Sequence, residues 1–262
     1  MSFRDEMIAV RGREVRLFRG GRGKPLLYLH DPWTYGWLPI HDRLAERYDV
    51  VLPIHPGFAG SGGFEELDRM EDLVFHYLDV LEVLGLEQPI LMGASLGGWM
   101  AIEFAIRHAG MLRALILIDP LGLRVPGVPT ADVFQLNPAQ LRAALFADAT
   151  SPLAHELVPD TPSQESIEPM LKARQVFARF AWQFPDNPKL ASYLYRIKCP
   201  TLIAWGERDG VVPVAHGHVC RAEIVGAAFT LLPSCGHLPH VEQPGALSNT
   251  VLSYLEQRGA RG

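Results

Sequence analysis

The chain contains a series of short apolar runs that do not alternate with polar residues: PLLYLH (25–30), YDVVLPI (48–54), QPILMG (88–93), LRALILID (112–119), PTLIAWG (200–206) and AAFTLLP (227–233). A strand with one wet face alternates apolar and polar, whereas a strand covered on both faces has no reason to. Between the runs lie stretches with the period of a helix. Leu67, Met70, Leu73, Val74, Tyr77, Leu78, Leu81 and Leu84 recur at three- and four-residue steps, and Gly85 ends the series. Doubly covered strands alternating with amphipathic helices predict an α/β fold with a mostly parallel central sheet flanked by helices. Two stretches at 6–10 and 14–19 precede it as a hairpin turning around Arg11, Gly12 and Arg13.

The alternation lapses between residues 122 and 198, where Pro-rich connectors separate helical segments expected at 138–147, 166–183 and 188–196. The chain therefore divides into a core, 1–121 with 199–262, and an inserted helical cap, 122–198, without a sheet of its own. A length of 262 residues suits one large domain carrying an insertion.

Composition narrows the function classes. With 48% hydrophobic and 20% charged residues the chain is too apolar to be disordered. A net charge of −5 with no block of Lys or Arg argues against nucleic acid or an anionic membrane as the main partner. A small molecule is the expected partner, and a monomer or homodimer the expected state. The opening residues carry Arg4, Asp5 and Glu6 where a secretory signal needs an apolar run, and no segment reaches transmembrane length, so a cytoplasmic protein is expected. The three cysteines lack metal-ligand spacing; no disulfide, metal or cofactor is expected.

The chemistry starts at LMGASLGGWM (91–100). A serine set among Gly93, Ala94, Gly97 and Gly98, between a strand and a helix, is a G-x-S-x-G turn too tight for neighbouring side chains. The turn aims the Ser95 hydroxyl off the carboxyl edge of the sheet, and the Leu96 amide at the helix start faces any anion formed there. A serine needs a base, and the base an orienting acid. Asp209, in the loop after strand 200–206, and His237, in the loop after strand 227–233, come to the same edge. His240 is the rival base, better suited to a supporting role. Asp119 is the rival acid, read instead as a cap on the loop before Pro120, and Glu207 as a solvated charge.

With these residues in view the sequence resembles the α/β-hydrolase superfamily, in particular serine esterases with a helical cap. The likeness rests on YLHDPW, HPGFAGSG (55–62), GASLGG, WGERDGVVP (205–213) and GHLPHVEQP (236–244). It implies Ser95 as nucleophile, His237 as base, Asp209 as its partner, the Leu96 amide in the oxyanion hole, and 122–198 as a lid. One departure concerns the second oxyanion donor. Family members usually carry His-Gly before it, whereas here the string is His30-Asp31-Pro32-Trp33, and Pro32 has no N–H. On the usual loop path the hole would lose a donor, a cost on the order of 10²–10³ in rate. A shifted loop would offer the amide of Trp33 or Asp31.

The insertion supplies Phe134, Leu145, Phe146, Met170, Val176, Phe177, Phe180, Trp182 and Phe184 to pack the cap and line an apolar cleft, with Trp33, Trp37 and Trp99 as further walls. Arg142, Arg174 and Arg179 are cations that either meet an acidic substrate group or face solvent. The expected activity is hydrolysis of carboxylic esters of small apolar or aromatic substrates through an acyl-enzyme. The alternatives are carbon–carbon bond hydrolysis, lactone opening or acyl transfer by the same triad, or a ligand-binding sensor with little turnover. A serine rather than an aspartate at the turn argues against epoxide hydrolases and haloalkane dehalogenases.

Overall fold

A computed structural model of the chain describes residues 3–182 and 186–259. In chain order the strands are β1 (Arg4–Val10), β2 (Arg13–Gly21), β3 (Pro25–Leu29), β4 (Asp49–Pro53), β5 (Ile90–Ala94), β6 (Ala114–Ile118), the two-residue β7 (Gly122–Leu123) and β8 (Asp186–Asn187), then β9 (Thr201–Gly206) and β10 (Ala228–Leu232). Eight of them form one sheet in the order β1-β2-β4-β3-β5-β6-β9-β10. β1 and β2 pair antiparallel, as do β2 and β4, and all other pairs are parallel. The hairpin turns where the sequence places it. Arg11 and Gly12 have φ of 49° and 83°, the left-handed pair that a two-residue hairpin loop requires.

The lack of alternation in the strands has the expected cause. Leu27 and Leu29 of β3, Leu91 of β5, and Leu115 and Leu117 of β6 enter one apolar cluster. Their neighbours Leu26, Tyr28, Ile90, Met92, Ala114, Ile116 and Ile118 enter a second cluster on the other face. The helices that cover the first face include α2 (Met70–Leu84) and α3 (Leu96–His108); α1 (Pro39–Ala45) and α9 (Pro244–Gln257) cover the second. A fully buried Leu or Ile contributes about 1.5–3 kcal/mol, so a polar residue on either face of these strands would cost a comparable amount. α2 stops at Gly85, whose φ of 62° is the left-handed conformation of a helix C-cap.

Within 122–198 lie α4 (Pro138–Leu145), α5 (Pro152–Leu157) and α6 (Gln164–Ala181), completed beyond it by α7 (Ala215–Glu223) and α8 (Pro239–Glu242). Three features differ from the sequence expectation. α5 leaves no signal in the sequence, because six residues opening on a proline are too short to show a period. The stretch expected to be helical at 188–196 holds a 3₁₀ turn, Ala191–Arg196. Residues 122–198 also form a small sheet: β7 pairs in parallel with β8, joining the first residues of this stretch to its later part. It adds no strand to the main sheet. Among the described residues no helix is long and apolar enough to cross a membrane.

Candidate active site

Ser95 sits between β5 and α3 with φ 50° and ψ −112°, a backbone conformation that few residues tolerate. Neighbouring chain holds it there. Its N–H donates to the Ile118 carbonyl at 2.9 Å, and its carbonyl accepts from the amides of Trp99 (3.0 Å) and Leu121 (3.1 Å). The flanking glycines are demanded by close backbone: a Cβ on Gly93 would lie 2.3 Å from the Gly97 carbonyl oxygen, and one on Gly97 2.2 Å from that of Leu29. α3 therefore packs against β3 and β5 more closely than any side chain allows, and the Leu96 amide stands in its first turn beside Ser95.

His237 and Asp209 reach the serine from the loops after β10 and β9. The Ser95 Oγ lies 2.8 Å from His237 Nε2, and His237 Nδ1 lies 2.8 Å from Asp209 Oδ2. An ionised carboxylate only accepts, so Nδ1 carries the proton toward Asp209 and the neutral Nε2 faces the hydroxyl. The other oxygen of Asp209 accepts from the amides of Val211 and Val212, both at 2.8 Å. All three side chains are buried.

The end of α4 holds both loops, which nothing in the sequence announced. The Ala144 carbonyl accepts from the Gly210 amide at 3.0 Å, and the Leu145 carbonyl accepts from the His237 amide at 2.8 Å. These are carbonyls that the last turn of a helix leaves unpaired. Glu242 completes the tie: its carboxylate accepts from the amides of Gly236 (2.6 Å) and Ala147 (2.9 Å). Burial raises the Glu242 pKa above the ordinary value. Glu207 is not merely a solvated charge, since it accepts from the Ser234 amide at 3.0 Å.

The His30–Thr34 loop is built around the buried carboxylate of Asp31. One oxygen accepts from the amides of Trp33 (2.7 Å) and Thr34 (2.8 Å); the other accepts from the Thr34 hydroxyl and lies 2.8 Å from His240 Nε2. Burial works against this charge, yet the bonds from His240, Thr34 and the Trp33 amide outweigh it and hold Asp31 below the usual carboxylate range. This arrangement bears on Trp33 and His240. The Trp33 amide is turned to Asp31 and is not available as an oxyanion donor in this conformation. Asp31 directs its charge into the Thr34–His240 network, and His240 is its partner. The Asp31 amide itself has no acceptor among the described residues.

Asp119 does not cap its own loop. From the end of β6 it accepts the Gly206 amide at 2.9 Å, while its second oxygen is buried without a partner. An oxygen of Asp119, one of Asp209 and a ring nitrogen of His237 lie within 4.8 Å of one another, the donor chemistry of a cation site. Both ring nitrogens of His237 are already engaged by Ser95 and Asp209, which leaves such an ion no histidine ligand.

Beside the triad lies an apolar cavity of about 510 Å³. Of the aromatic and apolar residues expected there, Phe134, Met170 and Phe177 line it, with Trp33 and Pro32 at one wall. Leu145, Phe146 and Val176 are core residues instead, and Phe184 lies outside the described residues. Trp37 stacks on Phe3 and donates to Asp42; Trp99 donates to Glu103. The three arginines also separate. Arg142 holds the Val158 carbonyl and Asp160, and Arg179 holds the carbonyls of Phe64 and Leu67. Only Arg174 of the three lines the cavity, its guanidinium 5.7 Å from the centre of the Phe134 ring.

Known proteins resemble the chain over most of its length. The chain is 29% identical to 2-hydroxymuconate semialdehyde hydrolase of Pseudomonas sp. (strain CF600), over 97% of this chain and 94% of that one. It is 26% identical to 2-hydroxy-6-oxo-6-phenylhexa-2,4-dienoate hydrolase of Burkholderia cepacia, over 92% and 91%. Among solved structures a bacterial membrane phospholipase A superimposes with a TM-score of 0.84 at 24% identity, covering 98% of this chain and 86% of that one. A 2-hydroxy-6-oxo-6-phenylhexa-2,4-dienoate hydrolase from Rhodococcus sp. strain RHA1 gives 0.78 at 18% identity, covering 97% and 99%. These structures share the fold. The profile described as "Alpha/beta hydrolase family" matches residues 26–250, and the chain is a member of that family.

Proposed function

We propose that the protein is a serine hydrolase that cleaves esters of apolar or aromatic acids through an acyl-enzyme. The observation that carries this reading is the hydrogen-bonded series Ser95–His237–Asp209, with 2.8 Å at each step, next to an apolar cavity. His237 Nε2 takes the Ser95 proton as Oγ attacks the ester carbonyl, and Asp209 steadies the imidazolium. The oxyanion is received by the Leu96 amide at the start of α3 and, in this loop, by the amide of Asp31, since Pro32 has none and that of Trp33 is bound to Asp31. His237 returns the proton to the leaving alcohol; water, deprotonated by the same nitrogen, then releases the acid. A cavity of about 510 Å³ with mostly apolar walls suits an uncharged acyl or aromatic group.

A second reading is carbon–carbon bond hydrolysis, favoured by the names of the full-length relatives and by Arg174. In that reading Ser95 attacks a ketone, the leaving carbanion takes the proton, and Arg174 meets the substrate carboxylate. One experiment separates them: turnover of p-nitrophenyl esters from acetate to decanoate and of a 2-hydroxy-6-oxo-dienoate, by wild type and Ser95→Ala. The ester reading expects ester turnover that falls by about 10⁴-fold or more in the variant. A dienoate turned over far faster than every ester would overturn it in favour of the second reading. Undiminished turnover in Ser95→Ala would remove both.

A further inference from the structure

We propose that Asp119 is a positioning residue: a neutral carboxyl group at the end of β6 that donates a hydrogen bond to the Asp209 carboxylate and so fixes how Asp209 holds His237. The inference rests on the Ser95–His237–Asp209 reading and deepens it. β6 and β9 are neighbours running in parallel, so the residues just beyond their carboxyl ends, Asp119 and Asp209, converge at the sheet edge. Asp119 has one oxygen bound to the Gly206 amide and the other buried without a partner, and an oxygen of Asp119 lies within 4.8 Å of one of Asp209, so a turn of a soft carboxyl torsion brings the two carboxyl groups together.

Two adjacent buried carboxyls do not both ionise, and the better-solvated one keeps the charge. Asp209 has the Val211 and Val212 amides and the His237 N–H; Asp119 has only the Gly206 amide. The proton therefore stays on Asp119. The surroundings agree: Glu242 and the Cys235 thiol also face this corner, adding acidic groups beside the His237 ring. Burial first, and the charge of Asp209 second, push Asp119 well above the ordinary carboxylate range. Of the carboxylates facing it, that of Asp209 lies within 4.8 Å and is the acceptor for this proton. The bond would pin Asp209 from a further direction and temper its pull on the imidazole.

The test uses the full chain, with ester kinetics across pH and the downfield proton NMR signal of the His237 Nδ1–H in wild type, Asp119→Ala and Asp119→Asn. The asparagine retains both an acceptor for Gly206 and a donor for Asp209. The proposal expects Asp119→Ala to lower kcat by about tenfold with KM little changed, and Asp119→Asn to recover most of that loss. It expects the His237 titration to stay in place in Asp119→Asn. A fall of the His237 pKa by about one unit or more in Asp119→Asn would show that Asp119 carries a charge, and would overturn the proposal. So would wild-type kinetics in a folded Asp119→Ala. If that variant does not fold, the asparagine titration decides alone. No downfield signal in wild type, with turnover surviving in Ser95→Ala, would instead fell the triad reading and this proposal with it.

Discussion

The turn at Ser95 and the loop His30–Thr34 serve the same few cubic ångströms, but they are shaped by opposite means. The turn owes its form to missing side chains: Gly93 and Gly97 let three segments of backbone touch. The loop owes its form to a buried charge, with Asp31 accepting bonds from its own loop and from His240, 209 positions along the chain. A shape made by small residues resists chemistry and yields only to bulk. A shape made by a buried ion is sensitive to any change in charge or partner.

Substitutions break the two differently. Asp31→Ala strands two amides, a hydroxyl and the His240 ring, and removing one partner of a buried charged network costs about 3–5 kcal/mol. Denaturant unfolding should show that loss, with ester turnover reduced because the Asp31 amide moves with the loop. Gly97→Ala presses a methyl against the Leu29 carbonyl, an overpacking cost of about 1–3 kcal/mol. It should lower turnover by displacing α3 and the Leu96 amide. Equal losses in the two variants would erase the distinction drawn above.

Acid is a gentler probe of the same contrast. In the loop, burial holds His30 down to about 4, and beside it burial, with His240 and His30 adding to it, holds His41 down to about 3. In the unfolded chain both ionise near 6.5. Their folded values being depressed, the native state binds fewer protons, so stability is full above about 6.5 and declines as pH falls toward about 4 and 3. Each histidine contributes a slope of about 1.4 kcal/mol per pH unit in that window. Asp31, also held low, releases its share only below its ordinary value of 3.8. His41 Nδ1 accepts the Leu38 amide, a bond that glutamine can also make, so His41→Gln should remove one histidine's slope from the pH 5–6.5 range of unfolding data. A slope unchanged in that variant would mean that His41 is protonated in the native state.

What the sequence disclosed follows the same division. The sheet was legible because residues buried on both faces cannot alternate, and the Ser95 turn because glycines at fixed offsets have few other uses. Asp209 and His237 were legible from strand order. The Asp31–His240 pair was not, because its members are remote and each side chain alone has an ordinary explanation. The role of α4 was hidden more deeply: the carbonyls of Ala144 and Leu145 hold the acid and histidine loops, and a carbonyl has no letter in a sequence. Glu242, five residues beyond His237, was visible only as one charge among many. The cavity walls were half legible, since composition separates apolar from polar but not a lining Phe177 from a core Val176.

Trp33 belongs to both regions and gives the smallest and most local test. Its amide is bound to Asp31, while its ring stands nearly perpendicular to the His237 ring at 5.5 Å and to that of Phe177 at 5.7 Å. Phe177 lines the cavity; Ser95 and His237 do not, and they are 0% and 1% exposed. The indole thus stands as a partition between the cavity-lining Phe177 and the His237 ring. Trp33→Ala keeps the backbone bond that shapes the loop and removes only the partition. Inactivation of Ser95 by phenylmethanesulfonyl fluoride should then quicken several-fold, while Trp33→Phe, with a smaller ring in the same place, should fall between. The preference among ester chain lengths should flatten in the same order. An unchanged inactivation rate in Trp33→Ala would mean that the reagent reaches Ser95 by another route and that the ring is packing alone. A slowed rate with lost stability would mean that the ring, and not only Asp31, holds the loop in shape.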